Sequence, residues 1–451
     1  MVELELAAAA ALAPTLPAAP DAPSCPIPPQ AKTVRETGLE QSLLVELVAK
    51  SILLAGRTPL PLLTGKLRLS INVLREVLDF MIVEQLVEVA WRGDTDLDVQ
   101  YQLTGNGKLR AQGFLERCRY LGPAPVSLAS YREVVQRQSC RAARTPRVQA
   151  ADVQAAFADD CLAPAIIAVA GAALHAGRSL LLYGPSGSGK TTLARKLGRL
   201  QQGLVAVPYA IVIDQQIIEV HDPLLHLAPS PLQARQAEER RSVDARWVLC
   251  QRPVLRVGAE LTSAMLDLRH DSTGGLYQAP LQLRASGGML LFDDLGRASV
   301  TPDALLARFG AVMDGGIDVL TLAGGHKVNL PFDAMLVLAT SAAPDTLFDG
   351  AAMRRIGYKV ALGPLSEERY RKLFRLQCRV ARIVFDEQVL DYLLTRLHAP
   401  AGRPLLASTP RELLARIADF AGYADETPRL TVSSLEQAWI SLFAGCAASL
   451  A

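Results

Sequence analysis

An excess of charge of either sign is missing from this 451-residue chain: 47 lysines and arginines face 45 aspartates and glutamates, for a formal net charge of +2. Net charge therefore argues for neither nucleic acid nor an acidic membrane, and any partner must be argued from local patches. Paired cysteines are missing too. Cys25, Cys118, Cys140, Cys161, Cys250, Cys378 and Cys446 are scattered, with no C-x-x-C and no paired histidines, which indicates neither zinc nor a disulfide framework and suits a reducing cytosol. No apolar run is long enough to span a bilayer. The longest, Leu162 to Leu174, contains Pro164 and Gly171 and reads as a buried helix. Met1 to Ala13 carries Glu3 and Glu5 where an export signal needs positive charge, so a cytoplasmic location with no membrane span is expected. Apolar residues are plentiful, at 50%, so the chain can bury large cores and should divide into about three units.

Residues 1–30 hold seven prolines and nine alanines and almost no large apolar side chain after Leu16, a tail that cannot pack, and order is expected from near Leu39. Leu39, Leu43, Leu44, Leu47, Val48 and Leu54 recur at helical spacing, and a short helix from Leu60 to Leu67 follows Pro59. Ser70 is placed to cap a third helix, Ile71 to Gln85, whose apolar face is Val73, Leu74, Val77, Leu78 and Met81. Two alternating runs, Leu86 to Trp91 and Val99 to Leu103, flank a polar tip. Three helices and a β-hairpin in this order predict a winged helix over residues 31–120, and Tyr101–Ala111 resembles the wing-to-helix return of bacterial winged-helix regulators.

DNA is the obvious partner of such a module, but the charges argue against it. The would-be recognition helix sets Arg75 against Glu76, Asp79 and Glu84, and the tip sets Arg92 against Asp94, Asp96 and Asp98. From Gly38 to Tyr120 basic and acidic residues are equal in number, whereas neutralising phosphates needs a positive face. Docking of a protein or spacing of an oligomer is the preferred reading. Residues 121–150 contain Pro123, Pro125 and Pro146, with Arg132, Arg137, Arg141, Arg144 and Arg147 against Glu133 alone. This predicts a linker with a short basic helix, either a solvated connector or a site for an acidic partner.

The segment Gly184-Pro185-Ser186-Gly187-Ser188-Gly189-Lys190-Thr191 fits G-x-x-x-x-G-K-[ST] at every fixed position. An apolar strand, Ser179 to Tyr183, precedes it, and a helical stretch from Thr192 to Leu200 follows. Backbone N–H groups at such a strand-to-helix turn can cradle phosphates, with Lys190 reaching the β/γ oxygens of ATP and the Thr191 hydroxyl holding Mg²⁺. Downstream, Ala285 to Phe292 forms an apolar strand ending in Asp293-Asp294. One acid would hold Mg²⁺ through water and the next would orient or deprotonate the attacking water. A further apolar strand, Ala334 to Ala339, ends in Thr340-Ser341, where a hydroxyl could touch the γ-phosphate or the lytic water. Met353-Arg354-Arg355-Ile356 and Thr409-Pro410-Arg411-Glu412-Leu413 follow.

This set, in this order, resembles the AAA+ ATPases over residues 150 to 450: Walker A, Walker B, sensor one, paired arginines and a sensor two helix. The resemblance implies an α/β ATPase domain over residues 151–364 with a five-stranded parallel sheet, and a helical lid over residues 365–451. It also implies ATP at the junction of neighbouring subunits of a homo-oligomeric ring, commonly a hexamer. By position, Gly184 to Thr192 would bind nucleotide, Thr191 and Asp293 the metal, and Asp294 the water, with Thr340 or Ser341 at sensor one. Arg411 would be the lid arginine. Arg354 or Arg355 would be the finger that reaches a neighbour's γ-phosphate. Ala285-x-Gly287-Gly288 and the apolar hairpin Gly316 to Leu330 resemble the MoxR and magnesium-chelatase side of the superfamily. The chain as a whole resembles bacterial ATPases labelled only as chaperone-like.

Two positions depart from the family. Its second Walker B acid is usually Glu and its sensor one residue Asn; Asp294 is a methylene shorter and Ser341 has no amide, which weakens water positioning. Between Gly203 and Leu283 the chain is long for a strand and a helix. It predicts a hairpin from Ala210 to Val220, a polar helix from Pro231 to Arg241, and a loop, Ser272 to Tyr277, any of which could face a pore or a substrate. No aromatic-apolar-glycine loop of the threading unfoldases follows the second strand. His221, His226, His270 and His326 are isolated and expected on the surface rather than as metal ligands. The leading expectation is an ATPase that remodels a protein client. A DNA-associated regulator and an ATP-dependent assembly switch with slow hydrolysis are the alternatives.

Overall fold

The computed structural model describes residues 27–94, 98–139, 147–230 and 243–443. The Ala/Pro-rich tail as far as residue 26 and the helix expected from Pro231 to Arg241 lie outside the described residues. Order begins before Leu39: the Pro28 carbonyl accepts the Asp244 N–H at 2.9 Å, the Ala31 carbonyl accepts the Ser70 hydroxyl at 2.7 Å, and the Val34 N–H donates to Glu76 at 2.9 Å. Composition hid this, because these contacts use backbone groups that every residue carries.

Helices Gln41–Ala55, Leu60–Leu67 and Ile71–Val83 form the first unit, the last with the Ser70 hydroxyl accepting the Val73 N–H. That helix stops short of Gln85, which takes a left-handed φ of 55°. Strands Val87–Arg92 and Val99–Leu103 pair antiparallel, and Thr58–Pro59 lies along the free edge of the second. Helix Gly105–Arg117, capped by the Thr104 hydroxyl, closes the unit. Its core contains a buried cation: Lys50, fully inaccessible, donates to Glu46 at 2.9 Å and to the Cys118 carbonyl at 3.0 Å.

The segment expected to be a linker is instead part of a packed layer. Val126–Ser127 pairs in parallel with Ala210–Ile213 at the edge of a five-stranded sheet that also holds Gln216–Glu219, Leu276–Gln278 and Arg269–Asp271. Helix Leu128–Gln138 buries Tyr131, Val134, Val135 and Gln138 against it, a face at helical spacing that the arginine count obscured. Arg132 and Arg137 lie on its outer side, on the Asn329 carbonyl at 2.7 Å and on Glu133 at 2.6 Å. The hairpin expected from Ala210 to Val220 is present, with Asp214 and Gln215 at φ 46° and 63° as a tight hairpin turn requires. The loop Ser272 to Tyr277 packs against the first unit. Its Gly274 carbonyl accepts the Arg119 N–H at 2.7 Å, and a Cβ on Gly275 would stand 2.0 Å from the Arg117 carbonyl oxygen, so the loop is clasped by the first unit. His226, expected on the surface, is buried; its Nδ1 accepts the Asp222 N–H at 2.8 Å, which leaves Nε2 to donate to the Arg284 carbonyl at 2.9 Å.

The central sheet has five strands: β1 (Leu180–Tyr183), β2 (Val254–Val257), β3 (Met289–Phe292), β4 (Met335–Thr340) and β5 (Tyr358–Ala361), all parallel, in the order β2-β3-β4-β1-β5. β3 and β4 are apolar without alternation because both faces are covered. On one face Leu180, Leu182, Met289, Leu291 and Val337 meet Leu174, Leu193 and Leu197 of helices Pro164–Ala176 and Lys190–Arg199. On the other, Leu181, Leu290, Phe292 and Leu338 meet Leu305, Phe309 and Val312 of helix Pro302–Gly315. The expected hairpin before β4 is Ile317–Thr321 paired with Lys327–Pro331. Helices Glu367–Ala381, Glu387–Tyr392, Thr409–Tyr423 and Val432–Phe443 pack around their own core of Tyr370, Phe374, Leu390, Leu413 and Leu435. No helix of the described residues is long and apolar enough to cross a membrane.

Arg246 ties the first unit to the middle layer. Its buried guanidinium chelates Asp244 and donates to the carbonyls of Thr37 and Pro125, both at 3.1 Å. Arg246→Met leaves the buried Asp244 carboxylate without its ion partner, and should destabilise the chain by about 3–5 kcal/mol in urea titration. A loss under about 1 kcal/mol would show that the clamp carries no strain.

Candidate nucleotide site

The site grows from the carboxyl ends of β1, β3 and β4, the edge where an α/β sheet leaves a crevice. After β1 the chain turns through Gly184 at φ 140°, where a Cβ would lie 2.1 Å from the Leu362 carbonyl oxygen, so only glycine fits. The loop ends at Gly189, a helix N-cap with no side-chain acceptor, which leaves the first-turn N–H groups of Lys190–Arg199 facing the loop for an anion. Pro185, Ser186 and Thr192 are exposed, while the Ser188 hydroxyl is buried with no hydrogen-bond partner.

Lys190 is folded back into this loop. Its ammonium donates to the carbonyls of Gly184 at 2.8 Å and Pro185 at 2.9 Å, and stands 3.3 Å from the Ser341 hydroxyl. Burial pushes the ammonium below its ordinary range, and the Asp294 and Asp293 carboxylates pull it back up. Thr191 donates its hydroxyl to Asp293 at 2.8 Å, so the two expected metal-binding residues already touch. Asp293 is only 4% exposed. Asp294 takes a left-handed φ of 54°, which Asp and Asn tolerate better than most side chains, and its N–H donates back to Asp293 Oδ1 at 3.1 Å.

The structure separates the two sensor one candidates. Thr340 is fully buried, donates its hydroxyl to the Leu295 carbonyl at 3.1 Å and accepts the Ala342 N–H at 3.1 Å, so it holds two loops together. Ser341 is exposed and faces Lys190. Arg411 is exposed in the first turn of helix Thr409–Tyr423, which starts against the phosphate loop: the Ser408 N–H donates to the Gly187 carbonyl at 2.9 Å. Arg354 and Arg355 are not brought to this site. They line a cavity of about 670 Å³ with Arg178 and Lys359, beside Ser179 and Ala334 at the amino ends of β1 and β4, and Arg355 lies 3.5 Å from Asp314.

Sequence reasoning missed two contributors. Arg256, in β2, donates Nε to Asp293 Oδ2 at 2.9 Å; it is the one charged residue of an apolar strand, and that was the available signal. Ser408, just ahead of the Thr-Pro-Arg helix start, has no pattern to mark its contact with the loop. A cavity of about 1000 Å³ lies between helices Ala150–Ala156, Pro164–Ala176 and Glu367–Ala381, lined by Val153, Phe157, Ile167, Arg369 and Lys372, and no phosphate-loop residue lines it. The Asp160–Lys196 pair, at 2.6 Å, links its wall to the helix that follows the loop.

An anion carrying a divalent ion fits these residues: an uncapped helix start, an orphaned buried hydroxyl, an ammonium and a hydroxyl-carboxylate pair converge. Among the described residues no three His, Cys, Asp or Glu side chains gather as a metal site, so a divalent ion here would take further ligands from the anion itself.

Residues 366–441 match a family described as a domain of unknown function, DUF8689. No curated protein matches the sequence. Among solved structures, NtrX from Brucella abortus in complex with ATP is similar at 14% identity and a TM-score of 0.37, covering 73% of this chain and 62% of that one. The ADP complex of NtrX is similar at 14% identity and a TM-score of 0.36, covering 57% and 49%. The chain thus spans less than two thirds of the NtrX chains it matches.

Thr340→Val should lower stability by about 1–3 kcal/mol through the unpaired Ala342 N–H and Leu295 carbonyl, whereas Ser341→Ala should leave the thermal midpoint unchanged. Equal effects of the two substitutions on thermal unfolding would contradict this division.

Proposed function

We propose that the chain is an AAA+ ATPase that binds Mg-ATP at the carboxyl edge of its parallel sheet and uses the nucleotide to drive rearrangement of a protein client. The observation that carries the reading is a pair of contacts beside an uncapped helix start, Lys190 with Ser341 and Thr191 with Asp293. Three sequence segments far apart in the chain converge there on the chemistry of a triphosphate.

Lys190 has a small rearrangement to make: its ammonium leaves the Gly184 and Pro185 carbonyls for phosphate oxygens a few ångströms away. The N–H groups from Gly187 to Thr191 hold the β-phosphate region, and the Ser188 hydroxyl gains the partner it lacks. Thr191 and, through water, Asp293 would hold Mg²⁺, which would supply charge neutralisation for the triphosphate. Asp294 orients and deprotonates the attacking water, and Ser341 fixes the γ-phosphate from the far side. Arg411 enters with the lid. Arg354 or Arg355, remote from its own subunit's site, acts on the nucleotide of a neighbour in a homo-oligomeric ring, with a guanidinium lowering the barrier by stabilising transition-state charge. The hairpin Ile317–Pro331 before β4 supports the MoxR and magnesium-chelatase side of the superfamily. Asp294, short and in a left-handed conformation, favours slow turnover and hence a second reading, an assembly switch that holds ATP longer than it spends it.

Lys190→Ala should abolish ATP binding in calorimetry. Asp294→Asn, which keeps the backbone conformation, should retain affinity within about threefold and lose phosphate release. Wild-type affinity in the Lys190 variant would remove the phosphate loop as the site.

The first unit, read as a winged helix, docks the protein client through an acidic surface. Asp79 on its third helix, Glu84 just past that helix and Glu88 on the hairpin leave little to release counterions from a duplex. The full chain should therefore show no sequence-selective duplex binding in fluorescence anisotropy, and any weak binding should vanish between ~50 and ~200 mM salt. Nanomolar, sequence-selective binding would favour a DNA-associated regulator.

A further inference from the structure

Both acceptor sites of Asp293 Oδ2 are already taken. Oδ2 accepts both the Thr191 hydroxyl, at 2.8 Å, and Arg256 Nε, at 2.9 Å, while Oδ1 accepts the Asp294 N–H, at 3.1 Å. A carboxylate that is to hold a hydrated cation through Oδ2 has to release one of these donors. The Asp294 N–H is fixed by the chain. The Thr191 hydroxyl can rotate its proton away and present a lone pair to the same cation.

The guanidinium is different: it carries a full positive charge and cannot share an oxygen with a divalent ion at that distance without strong repulsion. Its side chain is also free to leave. Arg256 is 53% exposed, whereas the Asp293 side chain is 3% exposed, so the acid is fixed and the base can swing. A second seat lies four residues on. Glu260 is exposed, and its carboxylate is held below the ordinary range mainly by the backbone N–H groups of Gly258 and Glu260, with Arg256 contributing through its charge.

We propose that Arg256 is a built-in counter-cation of the nucleotide site, neutralising Asp293 while no divalent ion is present and giving up that place when one arrives with ATP. Arg256 thereby sets how strongly ATP binding depends on Mg²⁺. The inference rests on the ATP-binding reading above and adds to it a positioning residue that acts through Asp293 rather than on the reacting atoms. Two consequences have opposite signs. With metal absent, the guanidinium offsets part of the polyphosphate charge and supports ATP binding. With metal present, one positive charge must be moved from beside another, and Mg²⁺ binds more weakly than the Thr191–Asp293 pair alone would allow.

The test is equilibrium binding of ATP to the full chain, by calorimetry in EDTA and across a Mg²⁺ titration, with no hydrolysis readout needed. In Arg256→Gln the metal-free affinity should fall and the half-saturating Mg²⁺ concentration should drop. The ratio of affinities with and without Mg²⁺ should rise by about fivefold or more, the scale expected for one unit charge beside a divalent ion at a partly solvated site. Arg256→Lys, which keeps the charge, should stay within about twofold of wild type. A purely structural role for Arg256 would shift both affinities together and leave the ratio unchanged, and that result overturns the proposal while leaving the ATP site intact. Absence of ATP binding by the wild-type chain in both conditions would overturn the ATP reading and this proposal together. Should Arg256→Gln not fold, Glu260→Gln gives the second measurement: losing the alternative seat should raise the half-saturating Mg²⁺ concentration, and no change would count against the proposal.

Discussion

A carboxylate that is 4% exposed must be paired, and the pairing of Asp293 organises everything at the carboxyl edge of the sheet. It fixes the first turn of the helix after the phosphate loop through Thr191, and it draws in Arg256 from the adjoining strand β2. Through the Asp294 N–H it also favours the left-handed turn that aims the second acid. The acid can sit there only because β3 lies inside a parallel sheet covered on both faces, with water kept from its strand by Leu291 and Phe292. Packing thus comes before chemistry: the apolar strand delivers the acids, and the acids then gather the donors.

The same edge is the point where the C-terminal helical unit joins the core. Ser408 donates its N–H to the Gly187 carbonyl, and a Cβ on Gly187 would collide with the Ser408 hydroxyl at 2.4 Å. A ligand that reshapes the phosphate loop therefore pushes directly on the start of the helix bearing Arg411. The first unit is coupled from the other end. Arg246 chains it to the middle layer, and Ala210 and Ile217 of that layer share its hydrophobic core with Leu103 and Tyr120. The first unit and the middle layer thus share packed and hydrogen-bonded contacts rather than a bare tether.

Much of this was legible in the sequence wherever a pattern has one physical cause. The unbroken apolar runs of β3 and β4, the glycine loop and the hairpin turn at Asp214–Gln215 each follow from burial or from left-handed backbone, and the structure places them as expected. Thr340 and Ser341 could not be told apart, because adjacent residues at a strand end point to opposite sides and only the fold says which side is the site. The stretch from 121 to 150 was read as a linker because its five arginines masked Val126, Tyr131, Val134 and Val135. Charge is conspicuous in a sequence, while a buried face four residues wide is not. Arg256 shows in the sequence only as the one charged residue of strand β2, and its partner on the neighbouring strand is known only from the fold.

The central claim is that the phosphate loop, the Asp293 cluster and the lid edge act as one nucleotide-responsive site. Hydrogen exchange of the full chain with and without Mg-ATP tests it most directly. The account predicts that amides from Gly187 to Leu193 and from Leu406 to Leu413 gain protection together on nucleotide addition. Protection confined to the cavity between helices Ala150–Ala156 and Glu367–Ala381, with those two segments unchanged, would contradict it.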